Sequence, residues 1–433
     1  MASSSSTNAG SSIAYLIPEF PGQTHAFFWR ERARLHRLGD RVAIFTTGKP
    51  PEELRARHAW AEEAEALTRH LTPLDARALR DIASELRRAG REGLARVARA
   101  MAASEAPTPM DRVKLGGALL LGARLAAEAR REGITHVHVH SCANSANVAM
   151  LANRLSGLSY SLTLHNPLDC YGPNQPEKWR HAAFAIVITR AIRDEVEEEL
   201  AGALPPRLFI APMGVDEEAF CREAAYEPYA GEGPFRVFSC SRLNPVKAVD
   251  DLVRAIAGVA EAGVDVELRI AGADDVGGQY QAQVEALAKE LGVADRVHLL
   301  GSVSEDVVLG ELRRSHAFAL ASLAEPLGVA IAEAMAVEVP VVVTDAGGVP
   351  ELVTHEESGL MVPPRAPERM AEGLLRVARE PELARKLSRG GRETVLRGFH
   401  SGVSAEAIHE GVKEALGGGA PRADLRRARA AGE

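Results

Sequence analysis

Two carboxylates, Glu325 and Glu333, bracket the stretch Pro326-Leu-Gly-Val-Ala-Ile-Ala332. Pro is favoured at the first helical position, where its missing N–H would have no partner anyway, so the pattern predicts a helix from Pro326 with Glu325 on the loop before it. Position 333 lies about two turns on, which returns Glu333 to the face on which the helix begins. Both carboxylates can then look into one cleft. Gly328 and Val329 fall in the first turn, whose amides are unpaired and sit at the positive end of the helix dipole, a place for a phosphate. Together these groups suit a sugar nucleotide: one Glu on the sugar, the amides on the diphosphate, the other Glu on the ribose hydroxyls. The plainer alternative is an amphipathic helix with Val329, Ile331 and Met335 in the core and both carboxylates in water.

Further side chains stand where such a ligand needs them. Arg242 and Lys247 lie in Ser241-Arg-Leu-Asn-Pro-Val-Lys247, after a strand-like run at 236–240. A guanidinium is a two-pronged donor and an ammonium a point charge, and both neutralise a diphosphate. His165 follows a strand-like run at 160–164, and a His at the carboxyl end of a strand is placed to hydrogen-bond a sugar hydroxyl or a developing charge. An exposed basic pair and a satisfied loop histidine are the alternatives. Residues 339–344 read as a buried strand, and Asp345-Ala-Gly-Gly-Val-Pro-Glu351 as a glycine-rich loop at its carboxyl end, where ligands bind in open α/β sheets. Near the start, Gly22, Thr24 and His25 follow a first strand at 13–17 and are candidates to face an acceptor, against the alternative of a surface turn.

The segments 325–336 and 344–353 resemble the donor-binding signature of glycosyltransferase family 4, retaining enzymes of the GT-B fold. The family pattern is a Glu, seven residues, a second Glu with Ala-Met-Ala after it, then a strand and a Gly-Gly-x-Pro-Glu loop, and the chain carries all of it. Thr163-Leu-His165 is similar to the family's Thr-x-His, with a downstream Asp. Pro212-Met-Gly-Val-Asp216 is similar to its Pro-Asn-Gly-Val-Asp, with Met213 in place of Asn. Arg242 and Lys247 match its Gly-Arg-Leu and Lys-Gly charges, with Ser241 and Ala248 where it has glycine. In the colanic-acid and exopolysaccharide branch the first loop resembles Phe-Pro-x-x-Ser-Glu-Thr-Phe, and here Thr24 and His25 replace Ser and Glu. The resemblance implies a hexosyl transfer from a nucleotide-diphosphate sugar with retention at the anomeric carbon and without a metal or other cofactor. It gives Glu325 and His165 the sugar, Arg242, Lys247, Gly328 and Val329 the diphosphate, Glu333 the ribose and Val303 the base.

The elements that must position these residues alternate strand and helix through most of the chain, which predicts two Rossmann-like α/β/α domains facing across a cleft. The expected division is a disordered tail at 1–12, an acceptor-side domain at 13–220, a Pro- and Gly-bearing linker at 221–234 and a nucleotide-sugar domain at 235–400. A helix at 401–416, which in the GT-B fold crosses back to the first domain, and a disordered tail at 417–433 complete it. Glycines after two strands, Gly272 and Gly301, would let a nucleotide approach the backbone. Residues 49–135 read as almost continuously helical. Between Ala76 and Arg131 there are twelve Lys or Arg against six Asp or Glu. With the apolar patch around Gly116–Leu121, such basic helices could rest on an anionic membrane presenting a lipid-linked acceptor, although a solvated helix face is the commoner outcome. His136-Val-His-Val-His140 alternates along a strand; with no carboxylate partner nearby it reads as polar residues at a strand end rather than a metal site.

At 433 residues the chain is long enough for two or three domains, and 46% apolar with 25% charged residues is ordinary globular composition. A net charge of −8 argues against a nucleic-acid partner. Four scattered cysteines without a Cys-x-x-Cys pair, no Asp-x-Asp metal motif and no long apolar run fit a cytoplasmic protein, peripheral at most at the inner face of the plasma membrane. Three other functions use related features. A sugar-nucleotide epimerase would place water where the acceptor sits, a glucan phosphorylase would need a pyridoxal-phosphate lysine for which no motif exists, and a non-catalytic nucleotide-sugar-binding subunit would not need the carboxylates.

Overall fold

The computed structural model describes residues 10–52 and 55–417. The first half of the chain forms strands β1 (Ser12–Glu19), β2 (Arg41–Gly48), β3 (Thr68–His70), β4 (His136–Val139), β5 (Ser159–Leu164), β6 (Ala185–Val187) and β7 (Leu208–Ile210). Its helices are α1 (Ala26–Arg37), α2 (Ala61–Leu67), α3 (Ala76–Ala103), α4 (Pro109–Glu132), α5 (Asn144–Ser156), α6 (Gln175–Arg180) and α7 (Arg190–Glu199). The second half adds β8 (Phe235–Cys240), β9 (Val266–Ala271), β10 (Val297–Gly301), β11 (Ala317–Leu320), β12 (Val341–Thr344) and β13 (Leu360–Val362). Between and after them run α8 (Val249–Glu261), α9 (Gln279–Glu290), α10 (Glu305–Arg314), α11 (Val329–Ala336), α12 (Val349–Leu352), α13 (Pro367–Arg379), α14 (Pro381–Gly398) and α15 (Gly402–Gly417).

Strands β1 to β7 make one parallel sheet in the order β3-β2-β1-β4-β5-β6-β7, and β8 to β13 a second in the order β10-β9-β8-β11-β12-β13. In each, the order runs outward in both directions from the opening strand, which leaves a crevice beyond its carboxyl end, between β1 and β4 and between β8 and β11. Both faces of each sheet are covered, so the strands are apolar runs rather than alternating ones: Val341, Val342 and Val343 are all fully buried. The fold is the GT-B fold expected from the sequence. Helix α15 returns to the first domain as that fold implies. Its Ala405, Ile408 and Val412 join the core of Ile13, Tyr15, Phe28, Leu35 and Phe184, and His409 Nδ1 lies 2.6 Å from Asp40 Oδ2.

Several expectations need correction. The helix after Glu325 does not begin at Pro326. It begins at Val329, because Gly328 at φ 93° is left-handed and cannot continue a right-handed helix; Pro326 to Gly328 form a turn. Residues 49–135 are not continuously helical. Thr68–His70 pairs in parallel with β2 as an edge strand, too short to give a period-two signal, and among the described residues the first α-helix in this stretch starts at Ala61. Ser12 opens β1 and the Ser11 N–H donates to Asp40 Oδ1 at 2.8 Å, so the ordered chain starts before residue 13. Gly417 still belongs to α15. The remainder of both expected tails, 1–9 and 418–433, lies outside the described residues. The stretch 221–234 is tied to the second domain: the Arg222 guanidinium donates to the carbonyls of Val337, Leu312 and Arg313, and Tyr226 Oη donates to His316 O. Among the described residues no helix is long and apolar enough to cross a membrane.

Candidate active site

The carboxyl ends of the two sheets face each other across a cavity of about 530 Å³. From the first domain it is lined by the β1–α1 loop with Gln23, Thr24 and His25, by Arg30 of α1 and by His165 after β5. The second domain contributes Arg242 and Lys247 after β8, Val303 after β10 and the stretch from Glu325 to Glu333. Glu325, Glu333, Arg242, Lys247, Gly328, Val329, Val303, His165, Thr24 and His25 all line this space; Gly301 does not, and Gly22 lies one position outside it and donates its N–H to His25 Nδ1 at 3.0 Å. That contact holds the loop in place. His25 is packed against Phe20 and Phe28, and burial pushes its pKa down to about 4.

Lys247 closes a 3-10 turn, Pro245–Lys247, and its backbone N–H donates to Asn244 Oδ1 at 3.2 Å. The turn aims its Nζ at Glu325 Oε2, 2.5 Å away, and Ser322 Oγ donates to the same oxygen at 3.2 Å. Arg242 points to Asp275 Oδ2 at 2.6 Å and keeps 57% of its side chain exposed, against 15% for Lys247. The lysine is therefore the better desolvated of the two charges. Ala248, where the resembled family has glycine, adopts φ 45°, a left-handed conformation that costs an L-residue roughly 1 kcal/mol. Gly328 caps α11 and Val329 is its first residue, so the amides that face the cavity are those of a true helix start despite the later boundary.

The glycine loop after β12 does not line the cavity. The Gly348 N–H donates to Glu325 O at 2.8 Å, and a Cβ at Gly348 would lie 2.1 Å from Pro326 O. Gly347, at φ 60°, packs as closely on Glu325. The loop shapes the site by gripping the backbone that carries Glu325. Glu351, read from sequence as part of a ligand loop, instead spans the domains: its two oxygens accept the Arg190 and Ala191 N–H groups at 2.8 and 3.0 Å, capping α7. Gly272, expected to admit a nucleotide, does line the cavity, and its own chain also requires glycine there, since a Cβ would meet Ser241 O at 1.8 Å.

His165 is 9% exposed, and neither ring nitrogen has a hydrogen-bond partner among the described residues. Its ring stacks on His140 at 5.6 Å and lies against Phe27 and Phe28. Burial pushes its pKa down to about 3, so it enters the cavity neutral, able to donate or accept one bond to a sugar hydroxyl but not to act as a cation. The three strand histidines have protein partners. His136 and His138 bridge the hydroxyls of Ser159, Ser161 and Thr163 at 2.7–2.9 Å, and His140 lies 3.1 Å from Glu31. Among the described residues no cluster of three metal-ligating side chains occurs.

Sequence reasoning missed Gln23, Arg30 and His58, which the first domain also brings to this cavity. The Arg30 guanidinium lies 2.9 Å from Glu333 Oε1, donates to Glu305 and stacks 4.8 Å from the Phe220 ring centroid. Gln23 Nε2 donates to Val303 O at 2.8 Å, and the Glu305 N–H donates to His58 Nδ1 at 3.2 Å. A signal existed in the spacing Arg30, Arg34, Arg37, one stripe of α1. All three face carboxylates beyond the first sheet: Glu305 and Glu333, then Glu217 and Glu218.

Residues 227–394, which hold the second sheet and most of its helices, match the family model described as Glycosyl transferases group 1. A D-inositol 3-phosphate glycosyltransferase of Saccharomonospora viridis is 31% identical over 243 residues, 54% of this chain and 56% of that protein. The chain thus spans little more than half the length of that relative. An N-acetyl-alpha-D-glucosaminyl L-malate synthase of Bacillus anthracis is 27% identical over 294 residues, 65% of this chain and 75% of that protein. Among solved structures, Anabaena Alr3699/HepE in complex with UDP superposes with a TM-score of 0.70 at 17% identity, covering 93% of this chain and all of that one, a likeness of fold.

Proposed function

We propose that the protein is a retaining glycosyltransferase that moves a hexosyl unit from a nucleotide-diphosphate sugar to a hydroxyl of a glycan, lipid-linked or small-molecule acceptor, in glycan or exopolysaccharide assembly. The observation that carries this reading is a single cavity between two sheet edges that gathers Lys247, Arg242, the α11 amides, two carboxylates and an unpartnered neutral histidine. The kinds of relative it matches, and the UDP held by the Anabaena protein of the same fold, support a nucleotide-sugar donor.

In this reading the diphosphate lies on the Gly328 and Val329 amides with Lys247 and Arg242, which stabilise the leaving group's charge. No metal is required for that. Glu325, steered by Lys247 and Ser322, takes hydroxyls of the donor sugar, His165 reaches the same sugar from the opposite domain, and Glu333 takes the ribose. Val303 sits beside the base. The bond from the anomeric carbon to the phosphate oxygen breaks, and the acceptor oxygen bonds the same carbon from the same face. The acceptor's proton passes to the departing phosphate oxygen. The transition state is oxocarbenium-like, as in glycoside hydrolysis. Thr24, exposed on the β1–α1 loop, and His25 lie on the acceptor side. A further part of the proposal is peripheral contact with an anionic membrane: Met110, Val113 and Leu120 form an exposed apolar stripe on α4 beside Arg112 and Lys114.

The test is thermal unfolding and slow donor hydrolysis with UDP-, GDP- and ADP-sugars, beside Lys247→Ala and Glu333→Ala. One nucleotide sugar should stabilise the wild type and neither variant; if none does, the transferase reading falls. Analysis of the sugar released separates transfer from epimerisation, and the anomeric configuration of the product decides retention.

A further inference from the structure

We infer that Arg30 is a positioning residue for the donor site, supplied by the opposite domain: it bridges Glu305 and Glu333 and so holds Glu333 ready for the ribose only when the two domains are closed. The inference rests on the ribose reading of Glu333. Arg30 lies on α1, which belongs to the first sheet, and it reaches across the cavity to the two carboxylates of the second domain. It is 7% exposed, and its guanidinium plane is backed by Phe220, so it has a single place to go. Nη1 takes Glu333 Oε1 at 2.9 Å while Nε, 3.1 Å away, and Nη2 both take Glu305 Oε1. Glu333 Oε2 has no hydrogen bond among the described residues and remains an acceptor for a ribose hydroxyl.

A guanidinium at this point solves a problem that the site creates for itself. Glu333 is 14% exposed, and burial favours its neutral form; Glu305 beside it adds a like charge in the same direction. A neutral carboxyl accepts weakly from a hydroxyl, whereas a carboxylate accepts strongly. Arg30 opposes both effects. The other groups facing Glu333 are His58 and the Cys240 thiol. His58 accepts the Glu305 N–H on Nδ1 and donates from Nε2 to Gln23 O at 2.9 Å, which fixes it as a neutral Nε2–H tautomer in this arrangement. Burial and the neighbouring Glu333 push the thiol up to about 12, so it stays protonated. Opening the cleft withdraws the guanidinium, and the carboxylate then loses both its orientation and its counter-charge. Donor affinity and closure are coupled through one side chain.

The experiment is calorimetric titration of whichever of UDP, GDP or ADP binds, between about pH 5 and 8, on the wild type and on Arg30→Gln, Arg30→Lys, Glu333→Gln and the double variant Arg30→Gln/Glu305→Gln. Arg30→Gln should weaken binding at neutral pH by roughly tenfold or more, the value of a lost charge-assisted hydrogen bond. Without the counter-charge Glu333 takes a proton more readily, so the acid loss of affinity moves to higher pH. Arg30→Lys should recover part of the affinity, and the double variant part of the pH shift because it removes the like charge; a merely structural role moves neither. The double variant also guards against misfolding, since it leaves no two buried carboxylates facing each other. An unchanged affinity in Arg30→Gln overturns the inference, and tighter binding overturns it too by showing that Arg30 competes with the nucleotide. If Glu333→Gln binds as the wild type does, the ribose reading itself fails; if Glu333→Gln is weak and Arg30→Gln is not, only the role of Arg30 fails.

Discussion

Lowering the pH should unfold the first domain well before the second. His136, His138, His140 and His165 are buried there, and burial lowers the pKa of each, to about 3 for His136, His140 and His165. The unfolded chain binds protons near the ordinary value of about 6.5, so between the two values it holds more protons than the folded chain. Stability therefore falls as the pH drops below about 6.5, and the sign is the same for all four. At about pH 5.5 the cost depends only on the unfolded value, because the folded rings are still neutral: about 1.4 kcal/mol each, or about 6 kcal/mol for four. That is comparable to the whole stability of a typical domain. Trp29, Trp60 and Trp179 all lie in the first domain, so tryptophan fluorescence in urea reports it selectively. The fluorescence transition should move to much lower urea between about pH 7.5 and 5.5. A transition that stays in place would show these rings to be charged in the folded state, and the neutral role given to His165 would go with it.

Removing Lys247 should cost more donor affinity than removing Arg242. A buried charged hydrogen bond is worth about 1.5–3 kcal/mol, whereas Arg242 is more than half exposed; calorimetry of Lys247→Ala and Arg242→Ala checks the order. Gly348→Ala should destabilise by about 1–3 kcal/mol and weaken donor binding together, because the new Cβ must push the Glu325–Pro326 backbone aside; a stable, fully active variant would remove the glycine loop from the account. Glu351→Gln should loosen closure, since it removes a charge from the start of α7, worth about 0.3–1 kcal/mol. Small-angle scattering of the nucleotide-free variant should show a wider ensemble than the wild type. Replacing Met110, Val113 and Leu120 by Ser should abolish sedimentation with vesicles containing anionic lipid while leaving transfer to a water-soluble acceptor intact; if the wild type does not sediment with such vesicles, the membrane part of the proposal is wrong.

Closure also explains how residues far apart in the chain come to serve one cavity. The arginine stripe of α1, Glu351 of α12 at the start of α7 and the return of α15 to the first domain all bind the two halves together. They are polar or small contacts, apart from the α15 face, and that is the composition expected of an interface that must open to admit a ligand.

The sequence by itself determined the alternation of buried strands and helices, hence two parallel sheets, because strands covered on both faces must be continuous apolar runs and helices must bury one stripe. It also determined which residue types meet at the carboxyl ends of strands: the basic pair at 242 and 247, the carboxylates at 325 and 333, and His165. What it left open were features that do not repeat with a local period. The left-handed turn at Gly328 moved a helix start by three residues, and a three-residue edge strand at 68–70 lay inside a helical composition. Only the tertiary structure decided who partners whom. Lys247 meets Glu325, the glycine loop grips the backbone rather than a ligand, and Arg30, which reads as one more arginine on a basic helix, is buried between two carboxylates some 300 positions away. Long-range pairing of charges is fixed by how the two domains come together, and no periodicity along a single helix encodes it.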